Sequence, residues 1–553
     1  MKNRKRTHAF RTWNFLTLIC FVTFAFFFLY PLLNLLIGGI WSAKTGFNFA
    51  AYIKFFSTRY YISAVINSFK VSITSTVLSI CTGTIFALIM RHYKIKGKKS
   101  IDILLLVSTI TPPFLGGYSW ILLGGRAGAI TKVLNRLFHT RLNGIYGFWG
   151  IVFTFVVAST PTMYMYISGA LKNIDYALVE AAESLGCTGL GKVRKIILPL
   201  ILPTVLSTSL LSFMRAFADF GAAKVIGEGY NVLGTLIYNS FLGEVKRDAA
   251  MASAIATITL LFTTLLFTVQ RYFANRRVVE MSALRPIEQK EVHGVRAFFS
   301  YGYIYIMTLL AILPICTVTF NSFQKTSGML FLPGFSLASY QKVFRTMGME
   351  LSRTYLYSLM AIGLILLIGI IISYANVRHR SPLTKLADTL TVFPFIVPGA
   401  VLGIAMILSF NGAPFYLNGT ALLIIMCWVI RRLPYTIRSS TAILHQISSS
   451  VEEASQSLGA NGVHTFGRVT LPIMFNGILP GALLSWVSSI TELSCTVFIF
   501  TSKTMTMSIA IYGQIQKGNF GVASAMSTIL LFSAILVLGV LFKLSKGRFE
   551  FSL

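Results

Sequence analysis

The chain of 553 residues is 55% hydrophobic but only 12% charged, which is about half the charged fraction of a typical soluble protein. This composition excludes an ordinary soluble domain and predicts a protein that crosses the membrane many times. We attribute the formal net charge of +31 to cytoplasmic loops and to attraction to anionic membrane lipid, so we expect no nucleic-acid partner.

Apolar runs of about 20 residues, long enough to cross a bilayer as helices, recur along the whole chain. In chain order, the first set of predicted spans is 13–40, 65–90, 101–123, 147–170, 197–218 and 251–270. The second set is 298–321, 353–375, 386–410, 419–440, 473–500 and 524–543. The sequence therefore predicts an all-α polytopic membrane protein with about twelve transmembrane helices.

Clusters of Lys and Arg predict the orientation, because such residues favour the cytoplasmic side. They are Lys2, Arg4, Lys5, Arg6 and Arg11; Arg91, Lys94, Lys96, Lys98 and Lys99; Arg271, Arg276, Arg277, Arg285, Lys290 and Arg296; and Lys543, Lys546 and Arg548. If the chain crosses the membrane twelve times, all of these clusters lie on the same side. We therefore expect a protein of the inner (cytoplasmic) membrane with both termini in the cytoplasm. The outward loop 124–146 is also basic, and an external partner, an anionic ligand or ordinary solvated surface could each account for its charge.

A polar pattern occurs twice between the apolar runs. Residues 180–199 read EAAESLGCTGLGKVRKIILP and residues 453–472 read EASQSLGANGVHTFGRVTLP. The offset of 273 that relates Glu180 to Glu453 also pairs Pro161 with Pro434, Gly186 with Gly459, Pro199 with Pro472 and Asp219 with Glu492. An even number of helices in each half predicts a parallel repeat. We expect a first half at 1–275, a cytoplasmic linker at 276–297 and a second half at 298–553.

Each repeated loop, near 173–199 and 446–472, is predicted to contain a short helix. Residues 173–185 favour helix, Asp175 complements the dipole at the helix start, and Gly186 suits a left-handed stop. The counterpart runs from Ser448 to Leu458 and stops at Gly459. Pro199 and Pro472 suit the first turn of the next helix. A single loop of this kind could be an ordinary surface turn, but two with identical spacing indicate a lever that a soluble protein grips.

The pattern of Glu-Ala-Ala, three residues, Gly and then Ile196-Ile197-Leu198-Pro199 resembles the EAA loop of the permeases of ATP-binding-cassette (ABC) importers. The second copy departs modestly, with Ser455 at the third position. The resemblance implies a MetI-like type I fold, whose loops are coupling helices that dock on the cytoplasmic ATPase. The docking residues implied are Glu180, Ala181, Ala182 and Gly186 in one loop and Glu453, Ala454, Ser455 and Gly459 in the other.

The same resemblance implies two copies of an ABC ATPase, which would bind ATP, and an extracytoplasmic substrate-binding protein that selects the cargo. The fused build and the segments RRLPYTIRSS at 431–440 and FADFG at 217–221 are most similar to the ferric-iron-type permeases. Relatives of the same build resemble importers of thiamine, phosphorylated sugars and phosphonates, which stay open as alternatives.

Five ionisable residues lie within or beside predicted spans. Arg215 and Asp219 are four residues apart, so a continuous helix would let them pair; the others are Glu492, Arg431 and Arg432. Because a charge at mid-bilayer costs at least ~2.5–3.5 kcal/mol, such residues usually face a partner or a watery cavity. They could line the translocation path, or they could be structural ion pairs or side chains that extend to an interface.

The sequence lacks recognisable metal-binding and phosphate-binding motifs. No His, Cys and carboxylate cluster has metal-ligand spacing, no Gly-rich phosphate loop follows a strand, and the six cysteines are scattered. We therefore expect no metal site, no cofactor in this chain and no enzyme activity, and we interpret the cysteines as small core residues. A secondary transporter of twelve helices is the main rival, although it would need no matched docking loops.

Overall fold

A computed structural model describes residues 2–42, 46–139, 143–243, 248–275 and 289–544, and these are predominantly helical. Most of the predicted linker, including Arg276, Arg277 and Arg285, lies outside the described residues, as do Arg141, Lys546 and Arg548. Where the linker is described, Lys290 pairs with the backbone of His92 and Lys94 at the end of the second span.

The first half contains fourteen helices and one hairpin within the described ranges. The helices are α1 (Lys2–Phe24), α2 (Tyr30–Gly38), α3 (Ala50–Ser57), α4 (Arg59–His92), α5 (Lys98–Ser108), α6 (Pro113–Gly124), α7 (Ala129–Phe138), α8 (Gly147–Lys172), α9 (Tyr176–Ser184), α10 (Gly189–Lys192), α11 (Leu198–Ala218), α12 (Gly221–Ile226), α13 (Leu233–Leu242) and α14 (Ala249–Asn275). A π-helical turn, Ala25–Leu29, joins α1 to α2. The hairpin pairs β1 (Trp41–Ser42) with β2 (Gly46–Phe47).

The second half follows a similar order. Its helices are α15 (Gly294–Ser322), α16 (Ala338–Thr346), α17 (Gly348–Arg378), α18 (Pro382–Leu390), α19 (Gly399–Phe410), α20 (Ala421–Gln446), α21 (Ser449–Ser457), α22 (Gly462–Thr465), α23 (Leu471–Ile490), α24 (Thr496–Ile499), α25 (Met507–Gln516) and α26 (Phe520–Leu544). A 3₁₀ turn, Phe393–Phe395, precedes α19. Antiparallel hairpins join β3 (Gln324–Ser327) to β4 (Leu330–Phe335) and β5 (Asn411–Gly412) to β6 (Phe415–Tyr416).

Among the described residues, eight helices are long and apolar enough to cross a membrane, and three bent helix pairs raise the number to eleven. The one predicted span missing from these eleven is the tenth, 419–440, and it corresponds to α20, which is 26 residues long but carries Arg431, Arg432 and Arg438. The predicted all-α polytopic fold is thus confirmed, with one span more polar than the others.

Three spans that the sequence suggested as single helices are bent, and proline explains the bends. The pair α5 and α6 turns by 105° across Pro112, and α18 and α19 turn by 111° across Pro398. The eleventh span bends by 69° near Gly477, where Pro480 lacks the N–H that would reach the carbonyl of residue 476.

The first span of each half packs against the other half. Helix α1 contacts α17 and α18, and α2 contacts α19. Reciprocally, α15 contacts α4, α5, α6 and α8. One large hydrophobic core contains residues of both halves, among them Phe28, Leu236, Trp428 and Ile499. The two halves therefore form one interlocked body.

Candidate functional site

The two repeated loops begin with the same backbone device. The Asp175 carboxylate accepts a hydrogen bond from the Ala177 N–H at 3.0 Å, and the Ser448 hydroxyl accepts one from the Ser450 N–H at 3.3 Å. Each side chain satisfies one of the free N–H groups at a helix start, which is the normal role of an N-cap residue. Helices α9 and α21 therefore start at equivalent positions.

The two helices also end in the same way. Gly186 and Gly459 adopt the left-handed conformation, with φ of 82° and 93°. The N–H of the next residue turns back to the helix: Cys187 donates to the Ala182 carbonyl at 2.8 Å, and Ala460 donates to the Ser455 carbonyl at 3.2 Å. This is the Schellman arrangement, which needs a residue that tolerates positive φ. The predicted helices and their glycine stops are present.

Each loop leads into the next span through a π-helical turn. The turns are Val193–Ile197 before α11 and Phe466–Thr470 before α23. Pro199 and Pro472 then occupy the first turn of those helices, as predicted. Because the helical path is nearly continuous from α10 into α11 and from α22 into α23, a displacement of either loop acts directly on a span.

The inward faces of α9 and α21 differ in chemistry. In the first loop Val179 and Ala182 are buried. In the second loop Glu452 is buried and Ser455 is half-buried, with its hydroxyl 3.1 Å from that of Thr465. Thr465 therefore explains why the second copy carries Ser where the first has Ala.

The first loop contains an ion pair of its own. Lys192, at the position equivalent to Thr465, forms an ion pair with Glu183. The Lys192 ammonium holds the pKa of the Glu183 carboxyl below its ordinary value. This pair links α9 to α10 within the loop.

The solvent-exposed faces of helices α9 and α21 carry apolar side chains that the sequence analysis did not identify. Leu185 and Leu458 are 88% and 91% exposed, and Leu178 and Val451, seven residues earlier, are also exposed. Together with the exposed Ala181 and Ala454 they form what we call the apolar stripes: Leu178, Ala181 and Leu185 on one loop, and Val451, Ala454 and Leu458 on the other. Spacing of three, four and seven residues places them along one side of a helix. The sequence did contain a signal for these stripes, because the offset of 273 places an apolar residue of one loop opposite an apolar residue of the other at all three positions.

Glu180 and Glu453 are exposed in both loops. Of the residues predicted for docking, Glu180, Ala181 and Gly186 and their counterparts Glu453, Ala454 and Gly459 lie at the surface, whereas Ala182 and Ser455 face the protein. The docking role of these residues stays a prediction.

Three of the five predicted intramembrane charges form one cluster. The carboxylate of Glu492 is buried and accepts hydrogen bonds from Arg431 at 2.5 Å and from Arg432 at 2.6 Å. Arg432 also donates to the Ser488 carbonyl at 3.1 Å. We call Arg431, Arg432 and Glu492 the central charge cluster.

Arg215 and Asp219 do not share a helical face as predicted, although Asp219 lies near enough to Arg215 to interact with its charge. Helix α11 ends at Ala218 and Asp219 has extended backbone, so the spacing of four residues does not place the side chains on one helical face. Within the described residues no ion pair joins them; Arg215 is exposed, and Asp219 accepts the Ala222 N–H at 2.8 Å.

Asp219 and Glu492 perform the same backbone role. Each lies just after the fifth span of its half and accepts the N–H of the residue three positions later, since Glu492 accepts that of Cys495 at 3.1 Å. Asp219 also lies near enough to Glu492 to interact with its charge. The breaks in the helical path after α11 and after α23 therefore lie close together, where the two halves contact each other.

Across the described ranges, no three His, Cys, Asp or Glu side chains lie together as a possible metal site. Two cysteines lie side by side in the core: Cys427 of α20 and Cys495, just before α24, have Cα atoms 7.4 Å apart. They are 68 residues apart in sequence, and no spacing motif marked them.

Comparison with known proteins gives concordant matches. The family model described as "Binding-protein-dependent transport system inner membrane component" matches residues 8–279 and 365–551. The ferric transport system permease protein FbpB of Actinobacillus pleuropneumoniae is 29% identical over 514 residues, which cover 92% of this chain and 74% of that protein. The putative ferric transport system permease protein FbpB 1 of Haemophilus influenzae is 29% identical over 504 residues, covering 88% of this chain and 78% of that protein.

Among solved structures, a bacterial alginate ABC transporter in complex with an alginate pentasaccharide-bound periplasmic protein covers 50% of this chain and 96% of its own, at 17% identity and a TM-score of 0.42. The family assignment rests on the two matched segments, which span most of the chain. The chain is a fused, two-permease member of the family of inner-membrane components of binding-protein-dependent transport systems.

Proposed function

We propose that this permease imports ferric iron, driven by two copies of a cytoplasmic ABC ATPase that dock on its two repeated loops. The observation that carries the proposal is the pair of loops with the same caps, the same glycine stops and the same π-helical exits, 273 residues apart. Two equivalent docking surfaces are what a pair of identical ATPase subunits requires.

The apolar stripes supply the docking chemistry. Leu185 and Leu458 are nearly fully exposed on otherwise polar loops, and burying one leucine side chain contributes about 1.5–3 kcal/mol. A groove on each ATPase that covers the stripe would gain this free energy twice. Glu180 and Glu453 supply a charged group beside each stripe.

The mechanism follows from the connections of the loops. ATP, bound only by the partner subunits, would close them and draw α9 and α21 together. Since α9 lies between α8 and α11, and α21 between α20 and α23, this movement acts on two spans in each half. The path would switch from inward-open to outward-open, receive cargo from an extracytoplasmic binding protein, and reset on hydrolysis. Both termini are cytoplasmic in this arrangement.

Iron as cargo is supported by the names of the two ferric transport relatives. An anionic cargo such as a phosphorylated sugar or a phosphonate is the second candidate. An anionic cargo is favoured by the balance of charged residues in and beside the spans. Three are basic (Arg215, Arg431 and Arg432) and two are acidic (Asp219 and Glu492).

The test is uptake of labelled ferric iron by cells that lack the gene and are complemented with wild type or with the double variant Glu180→Ala and Glu453→Ala. We expect uptake with wild type and its loss in the double variant at equal membrane levels. Wild type without iron uptake would reject iron and direct the test to labelled phosphonate. Full uptake by the double variant would reject the role of the two glutamates.

A further inference from the structure

The two coupling loops differ at one buried position. Val179 on α9 is 1% exposed, and its counterpart on α21, 273 residues later, is Glu452 at 6%. We propose that Glu452 and Arg378 form a positioning ion pair that carries the movement of the second coupling helix into α17. This inference rests on the proposed coupling function of the loops.

Arg378, the last residue of α17, holds the second loop at two points. Its Nε donates to the Glu452 carboxylate at 3.1 Å, and its Nη2 donates to the Ile447 carbonyl at 2.6 Å. Ile447 immediately precedes the N-cap Ser448, whereas Glu452 lies inside α21. One guanidinium therefore ties both the entry of the loop and its helix to the end of α17.

The carboxylate of Glu452 has two further donors. The Tyr374 hydroxyl, one turn earlier on α17, donates at 3.2 Å, and the Thr470 hydroxyl, in the π-helical turn before α23, donates at 3.1 Å. Glu452 thus joins α17, α21 and the start of the eleventh span in one hydrogen-bonded network. Charge-assisted bonds of this kind are stronger and more directional than neutral ones.

Aromatic rings enclose this network. Trp13 of α1 packs 4.5 Å from Tyr374 and 5.0 Å from Phe466, measured between ring centroids, and it stacks on His379 at 6.0 Å. His379 and Tyr374 are the titratable groups that face the pair, and each interacts with both charges. Because the surroundings are apolar, the attraction between the two charges is weakly screened and their separation is costly.

The first loop cannot form this ion pair, because its residue at the equivalent position, Val179, has no ionisable group. Val179 makes only apolar contacts, which are non-directional, and the Glu183–Lys192 pair ties the first loop to itself rather than to a span. Movement of α21 therefore pulls α17 directly, and α17 packs against α20 and α23. The two ATPase sites act on the permease through unequal linkages, with the second loop the more rigidly connected.

The test compares two variants in the complete complex. Arg378→Met with Glu452→Val removes both charges and gives the second loop the residue that the first loop has; removal of both partners avoids an unpaired buried charge. Glu452→Gln keeps the size and most hydrogen bonds but removes the charge. Glu183→Gln, which breaks the half-buried Glu183–Lys192 pair within the first loop, is the matched control. The measurements are membrane level, ATPase that copurifies with the permease, and labelled uptake of whichever cargo wild type transports.

We expect both anchor variants to retain the ATPase while uptake per molecule falls about fivefold or more in the charge-free double variant, the lower range of measured coupling energies. Glu452→Gln should fall in between, and Glu183→Gln should stay within about twofold of wild type because its pair joins two helices of the same loop. Wild-type uptake by either anchor variant would overturn the inference and leave the proposed function intact. A wild-type permease that copurifies no ATPase would overturn both.

Discussion

The single residues that carry most information in this protein are those that break the usual pattern of their surroundings. Leu185 and Leu458 are exposed in loops where leucine would ordinarily be buried. Gly186 and Gly459 hold positive φ, and a Cβ added at either would meet no atom within 4 Å, so backbone conformation alone restricts these positions. The exposure of the leucines is what the proposed docking surface requires, and positive φ marks the end of each helix.

The apolar stripes yield the first prediction. Replacement of both Leu185 and Leu458 by Asp should abolish copurification of the ATPase, because a charge would have to be desolvated in the docking groove. Replacement of both by Met, which keeps an apolar side chain of similar volume, should leave it intact. Affinity purification from membranes with quantification of the ATPase checks this. Retention of the ATPase by the Asp variant would show that the stripes are not the docking surface.

The glycine stops yield the second prediction. Gly186→Ala and Gly459→Ala should each destabilise the protein by about 1–2 kcal/mol, the cost of a left-handed conformation for a residue with Cβ. Gly467→Ala is the control, since its backbone has negative φ and there is open space around it. Unfolding in mixed micelles would measure the difference. Equal stability of all three variants would contradict the assigned role of positive φ.

At the scale of elements, the breaks after the fifth spans organise the contact between the halves. Asp219 and Glu492 each accept the N–H three residues later, next to the short helices α12 and α24. Only the second break adds two arginines, because the positions 273 residues before Arg431 and Arg432 are Ala158 and Ser159. The repeat therefore preserves the bond from carboxylate to backbone N–H but adds two arginines in the second half only.

The central charge cluster yields the third prediction. Glu492→Ala leaves Arg431 and Arg432 without their shared carboxylate, and removal of one partner from a buried ion pair costs about 3–5 kcal/mol. We expect strongly reduced membrane levels. Asp219→Asn keeps an oxygen that can accept the Ala222 N–H, so its levels should stay near wild type. Quantitative blotting of membranes checks both, and a stable Glu492→Ala variant would mean that the arginines find other partners.

At the scale of the whole molecule, the exchange of first spans makes the fused chain one unit. Helices α1 and α2 pack on the second half and α15 packs on the first. Residues of both halves contribute to one core. A movement that begins at either loop therefore reaches both halves through packed side chains.

This interlocking yields the fourth prediction. If the chain is divided within 276–288 and the two pieces are expressed together, they should remain associated in mild detergent, because each first span buries apolar area against the opposite piece. Deletion of residues 2–38 from the first piece should weaken the association. Pull-down by a tag on one piece measures this. Pieces that separate readily with both first spans present would contradict the interlocked arrangement.

Local signals were enough to predict much of the candidate site. Asp175 and Ser448 were at helix starts, and Gly186 and Gly459 were at helix ends, since capping depends on a few neighbouring residues. The same local reasoning failed for Arg215 and Asp219, because the helix ends between them. It also missed Arg378 and Glu452, whose contact spans 74 residues of sequence.

The sequence by itself determined the membrane class, the positions of the spans, the duplicated loops and the family, because apolar length, capping residues and a constant offset are properties of the chain. Only the tertiary structure decided the bends at the prolines, the exchange of first spans, the contact of Arg431 and Arg432 with Glu492 and the exposed apolar stripes. The physical reason is that burial and ion pairing depend on residues distant in sequence that packing brings together, and the choice among possible partners is made by the complete core.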